Sequence, residues 1–171
     1  MSKTSNDMDF IPAQSRAQSS PWAPWLIAIA AVSLTLAAGA LFAPGDWYET
    51  LRKPSWQPPG WVFGPVWTSL YVMLGVALAL LLKTAASAER QHALIWFAIQ
   101  LVLNAAWTPL FFGLQSPVLA FINICLLWGA MLISIMAAFR VSTASAWLQV
   151  PTLIWVSFAL VLNGVIVAMN L

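Results

Sequence analysis

Apolar residues fill five long blocks of this chain, roughly Trp25 to Ala43, Val62 to Leu82, Ala93 to Gly113, Pro117 to Phe139 and Ala146 to Met169. None of the five contains a Lys, Arg, Asp or Glu. At 1.5 Å of rise per residue, each block is long enough as a helix to cross about 30 Å of hydrocarbon. Lipid leaves no backbone donor or acceptor without an internal partner, and the blocks lack the polar alternation of barrel strands. The pattern predicts an all-α integral membrane bundle of five transmembrane helices over residues 22–171. Residues 1–21, polar and poor in apolar side chains, read as a disordered tail.

Inside three blocks the sparse polar and aromatic positions recur at helical spacing. In the third block Gln100, Asn104, Trp107 and Phe111 fall on one face, which carries the only amides of that span. A carboxamide facing lipid would cost several kcal/mol, so this face is expected to point into the bundle, either bonding a neighbouring helix or lining a cavity. In the fifth block Pro151, Trp155, Ala159, Leu162 and Ile166 share a face, and in the second Trp67, Tyr71, Leu74 and Leu78 do so. Such aromatic stripes can be plain core. They also suit a bulky, planar, apolar ligand held by stacking rather than by charge.

The connection from Pro44 to Trp61 breaks the pattern, being too long for a tight turn between antiparallel helices and too aromatic for a solvated linker. Its prolines, Pro54, Pro58 and Pro59, fix φ and stiffen the chain. Trp47, Tyr48, Trp56 and Trp61 give it apolar area to lay on a surface. It reads either as an aromatic belt at headgroup level or as a lid.

Composition narrows the chemistry. The chain is 61% hydrophobic and 7% charged, which no soluble domain of 171 residues could hide from water. A single Cys125 excludes an internal disulfide framework, and the single His92 leaves no protein-only metal site to assemble. The seven basic residues are scattered over tail and loops, which argues against nucleic acid as a partner. Their distribution bears on orientation instead. Lys3, Arg16, Lys83, Arg90 and Arg140 fall on one side of a five-span topology, and only Arg52 and Lys53 on the other. That bias predicts a cytoplasmic amino terminus. The first apolar block exceeds a usual signal-peptide core and no compact basic segment abuts it, so it is read as a retained span.

Three segments, "WYETLRKPSWQPPGWVFGPVWTSLY", "LNAAWTPLFFG" and "PTLIWVSFALVLN", occur in this order and together resemble the TspO/translocator protein family, also called peripheral-type benzodiazepine receptors or tryptophan-rich sensory proteins. The likeness runs from about Trp25 to the carboxyl terminus. It implies a five-helix membrane bundle, usually a homodimer, with a pocket at one end capped by the first loop. Ligands implied are porphyrins such as protoporphyrin IX and haem, isoquinoline carboxamide and benzodiazepine drugs and, in animal members, cholesterol. Carried over position by position, the ligand-contacting tryptophans match Trp67, Trp107 and Trp155. Neighbouring pocket positions match Tyr71, Asn104, Ala159 and Leu162, and the lid matches Lys53, Pro54, Trp56, Pro58, Pro59 and Trp61. Two departures matter. Thr152 follows Pro151 where many members have tyrosine, and "LNGVIVAMNL" lacks the tyrosine and basic residue of the animal sterol pattern, so sterol binding is expected to be weak. A bacterial-type member in a cell membrane is the expectation.

The spans contain no acid/base pair, nucleophile triad or phosphate loop. The leading expectation is therefore a receptor or sensor for porphyrin or haem that requires no cofactor. One alternative is an enzyme degrading porphyrin in light with Trp67 and Trp155 as participants. The other is a transporter, which lacks the intramembrane ionisable residues that ion coupling normally uses.

Overall fold

The computed structural model describes residues 20–42 and 44–171, so the expectation of a disordered tail lies outside the described residues except for Ser20 and Pro21. Five helices are long and apolar enough to cross a membrane. They are α1 (Ala23–Ala40), α3 (Gly60–Lys83), α4 (Ala88–Thr108, continued by a π-helical turn Pro109–Gly113), α5 (Pro117–Phe139) and α6 (Thr143–Asn170). A short helix, α2 (Asp46–Thr50), interrupts the first loop. Among the described residues there is no strand. The all-α membrane bundle expected from the hydropathy pattern is the architecture observed.

Helix ends differ from the apolar blocks for local reasons. Ser87, Ser116 and Ser142 cap α4, α5 and α6, their hydroxyls accepting from the backbone N–H of Arg90, Leu119 and Ser145. Capping satisfies donors that would otherwise be orphaned, so helix extends back over polar residues such as Glu89 to His92 that hydropathy assigns to a loop. At the far end of α4, Pro109 has no N–H to donate. The helix widens into a π turn in which Leu114 N–H reaches Pro109 O at 2.8 Å.

The five spans close a ring in the order α1, α3, α6, α5, α4 and back to α1, and α3 also touches α4 across it. Away from the first loop the core is rich in alanine, with Ala28, Ala77, Ala79, Ala93, Ala138 and Ala146 buried around Phe97 and Leu81. Small side chains let backbones approach where lipid offers no hydrophobic incentive to associate. Toward the loop the core turns aromatic, with Phe111 buried among Trp47, Tyr48, Phe63, Trp107, Phe112 and Phe158.

Between these ends lies a polar cluster made by three helices. Gln100 Nε2 donates to Gln149 Oε1 at 2.9 Å and to Ser134 Oγ at 3.3 Å, while Ser134 Oγ donates to Gln149 Oε1 at 2.8 Å. Ser145 Oγ extends the set to α3 by donating to Ala77 O at 2.8 Å. Replacing one carboxamide leaves its partners unpaired in a medium without water. Gln149→Ala is expected to cost about 1–3 kcal/mol. The paired change Gln100→Leu with Gln149→Leu should cost less than the two single changes summed, read by thermal unfolding in detergent.

Candidate functional site

Gln100, Asn104 and Trp107 of α4 are turned inward, as their spacing requires. Asn104 is buried and its Oδ1 accepts from the Tyr71 hydroxyl of α3 at 2.6 Å. One turn on, Trp107 Nε1 donates to Asn163 Oδ1 of α6 at 3.1 Å, and Asn163 Nδ2 donates to Pro117 O at 3.0 Å. Trp107 stacks on Phe111 with ring centres 4.9 Å apart. These bonds join α3, α4, α5 and α6 at the loop end.

Trp67 stacks on Tyr71 at 5.4 Å and, with Trp107 and Ala159, packs on one cluster of Ile124, Leu127, Met131 and Val156. Leu162 lies in the adjacent aromatic cluster that Trp107 also joins. Trp155 joins that aromatic cluster through Phe63 and Phe158. Its ring meets Phe63 at 5.8 Å and Phe158 at 5.3 Å, and Phe158 in turn meets Trp56 of the loop at 5.9 Å. The Trp155 indole N–H is buried with no hydrogen-bond partner among the described residues. Six of the seven expected pocket residues are thus brought into linked clusters by Trp107 and Tyr71, and Trp155 approaches from the side that the loop covers. On α6 Gln149, Thr152, Val156 and Asn163 are buried beside the expected stripe, of which Leu162 and Ile166 are buried and Pro151, Trp155 and Ala159 half-buried. The stripe with Trp155 and Ala159 flanks them. One concavity lies between α1 and α3 and another where Phe42 meets Ala106 and the π turn after α4, and neither is lined by Trp67, Trp107 or Trp155, whose rings engage other rings.

The loop is held at both ends. Arg52 N–H donates to Asn170 Oδ1 and Asn170 Nδ2 donates to Arg52 O, each at 2.9 Å, so the last turn of α6 clamps the loop backbone. Lys53 Nζ donates to Tyr48 O at 2.7 Å and sits 4.1 Å from the centre of the Tyr48 ring. Gln57 Nε2 donates to the Tyr48 hydroxyl at 2.8 Å. Tyr48 meets Phe111 and Phe112 edge-on, and Trp47 meets Phe111. Pro54 and Pro58 are half-buried; Trp56 is exposed but rests on Phe158. Pro59 supplies the cap of α3, and Trp61, in its first turn, is 76% exposed and points away from the covered face. Asn170, Asn163, Tyr48 and Phe158 were not singled out by the sequence pattern as site residues. Asn170 and Arg52 are 118 positions apart, and nothing local in either marks the pairing.

Comparison with known proteins fits this arrangement. The profile of the TspO/MBR family matches residues 18–169. The chain belongs to the TspO/MBR family. It is 47% identical over 137 residues to the tryptophan-rich protein TspO of Chlorobaculum tepidum, covering 78% of this chain and 87% of that protein. It is 37% identical to the tryptophan-rich sensory protein of Cereibacter sphaeroides, across 83% of this chain and 88% of that one. The human translocator protein is likewise 37% identical, across 84% and 88%. This TspO/MBR chain is a multi-pass membrane protein.

The clamp and the Tyr48 cluster generate two expectations. Asn170→Leu should free the loop, so that trypsin cleaves the Arg52–Lys53 bond at least several-fold faster than in wild type, read by timed digestion. Burial pushes the Tyr48 phenol above its ordinary value, with Glu49 adding to the shift and the Gln57 bond opposing it. A group whose pKa is raised by folding stabilises the fold below its unfolded value near 10, and that contribution is lost as pH rises through the folded value. Loop cleavage should therefore accelerate above about pH 10, together with phenolate absorbance. Tyr48→Phe, which leaves Tyr71 as the one tyrosine, should remove the low-pH part of that absorbance change.

Proposed function

We infer that this TspO/MBR chain is a membrane receptor for porphyrins such as protoporphyrin IX and haem, and for similar bulky planar ligands, bound among the aromatic side chains beneath the first loop. The observation that carries the reading is the N–H of the half-buried Trp155 indole, itself buried and unused beside Phe63 and Phe158 near a loop that side chains hold in place. A planar macrocycle could take stacking area from Trp67, Trp107 and Trp155, a hydrogen bond from that N–H, and contacts from Ala159 and Leu162. Tyr71 and Asn104 satisfy each other, so they would fix the positions of the rings. Entry requires the loop to lift, which makes Asn170 and Tyr48 gates as well as anchors.

A sensory role accords with the name of the Cereibacter sphaeroides relative, a tryptophan-rich sensory protein. The setting proposed is a bacterial cell membrane, with the amino terminus cytoplasmic by the distribution of basic residues and the protein a homodimer as in the family resemblance. Sterol is expected to bind weakly.

The test is a protoporphyrin titration followed by tryptophan quenching. Alanine at Trp67, Trp107 or Trp155 should cost about 1–3 kcal/mol of binding, a five-fold to hundred-fold rise in Kd, and phenylalanine should cost less because most stacking area survives. Unchanged Kd in all three alanine variants with helix content intact would refute the site. A parallel illuminated absorbance course separates binding from turnover, since light-dependent loss of porphyrin that stops in the phenylalanine variants would reassign the protein as an enzyme.

A further inference from the structure

A second feature lies on the opposite, lipid-facing side of the bundle, and it does not depend on the porphyrin reading. A groove of about 380 Å³ runs between α1 and α3, lined among others by Trp25, Val32, Leu36, Tyr71, Val72 and Gly75. Gly75 of α3 faces Val32 of α1 along its wall. A Cβ there would meet Val32 Cγ2 at 3.4 Å, so α1 approaches α3 at that level while Ile29, Leu36 and Val72 stay exposed on the flanks. From Trp25 to Leu36 the groove extends along α1 for about 17 Å at 1.5 Å per residue. That is close to the hydrocarbon depth of one leaflet, half of about 30 Å.

The groove is not symmetric in charge. At its Trp25 end the Lys83 ammonium stands 5.5 Å from the centre of the Trp25 ring. Beside it the Arg90 guanidinium is fixed by donating to Leu81 O at 3.1 Å and Leu82 O at 2.9 Å. Among the described residues Lys83 has no salt bridge. Among the described residues the charged ones at this end are Lys83, Glu89, Arg90 and Arg140, three cations against one carboxylate. The loop end balances Asp46 and Glu49 against Arg52 and Lys53. An apolar channel one leaflet deep, opening beneath an unpaired cation at an aromatic interface residue, fits one kind of occupant.

We propose that the α1/α3 groove holds an acyl chain of an anionic phospholipid, with Lys83 contacting its phosphate and Arg90 adding to the local positive field. A zwitterionic lipid would fill the groove equally well but gain less from the excess positive charge. Tyr71 forms part of the groove wall and on another side bonds Asn104, so an occupied groove would press on a residue of the candidate porphyrin site.

The experiment uses the full chain in phosphatidylcholine bilayers, doped with phosphatidylglycerol or phosphatidylcholine brominated in the acyl chain. Quenching of Trp25 is obtained as the difference between wild type and Trp25→Phe. Brominated phosphatidylglycerol should quench Trp25 at a mole fraction on the order of five-fold lower than brominated phosphatidylcholine. Lys83→Gln, at an exposed position, should bring the two lipids to parity, and Lys83→Arg should keep the preference. Val72→Phe, which adds bulk at an exposed groove position, should weaken quenching by both. Equal quenching by the two lipids in wild type, or a preference that survives Lys83→Gln, would overturn the proposal.

Discussion

The structure depends on one constraint, that a polar group within hydrocarbon must find its partner inside the protein. Water is absent there, so an amide left facing lipid would lose the bonds it makes in water and gain none. Gln100, Asn104, Asn123, Gln149 and Asn163 are all buried, and each makes at least one hydrogen bond to another helix. Apolar packing alone would leave the helices free to rotate, since lipid tails and leucine side chains are alike in polarity. Pairing removes that freedom. Once Gln100 faces Gln149 and Asn104 faces Tyr71, the rotation of α4 relative to α3 and α6 is settled, and Trp107 must face inward.

The same constraint divides the bundle along its length. At one end small residues allow close approach, and the carboxamide cluster ties α4, α5 and α6 together. At the other end bulky rings hold the helices against the first loop, and the bonding there runs through an indole, a phenol and the clamp at Asn170. Rings resting on rings through edge and stacked contacts give up little when they rearrange, whereas a broken carboxamide pair leaves unmet bonds. The loop end is therefore the more readily rearranged, and it is where the proposed ligand exchange is placed.

Much of this was legible in the chain. Five blocks free of ionisable residues dictate five spans, because each block matches the thickness of hydrocarbon and nothing in it needs water. The inward face of α4 was equally legible, since Gln100, Asn104, Trp107 and Phe111 keep helical spacing and only one side of a membrane helix tolerates amides. The stiffness of the first loop follows from Pro54, Pro58 and Pro59 acting locally on their own φ angles. All of these are properties of single elements against a known solvent.

What the chain left open concerns pairs distant in sequence. That Asn170 clamps Arg52, that Asn163 receives the Trp107 indole, and that Trp61 points outward while Trp56 covers Phe158 are decided by which helices lie side by side. The groove along α1 has the same origin, because it forms only where Val32 of α1 comes to lie opposite Gly75 of α3. Hydropathy and periodicity describe how one helix meets lipid, and carry no term for the neighbour it meets instead. The sequence by itself determined the number of spans, the inward face of α4 and the local stiffness of the loop prolines. Tertiary structure alone decided the partners, since hydrogen bonding and packing between helices depend on three-dimensional proximity that no local pattern encodes.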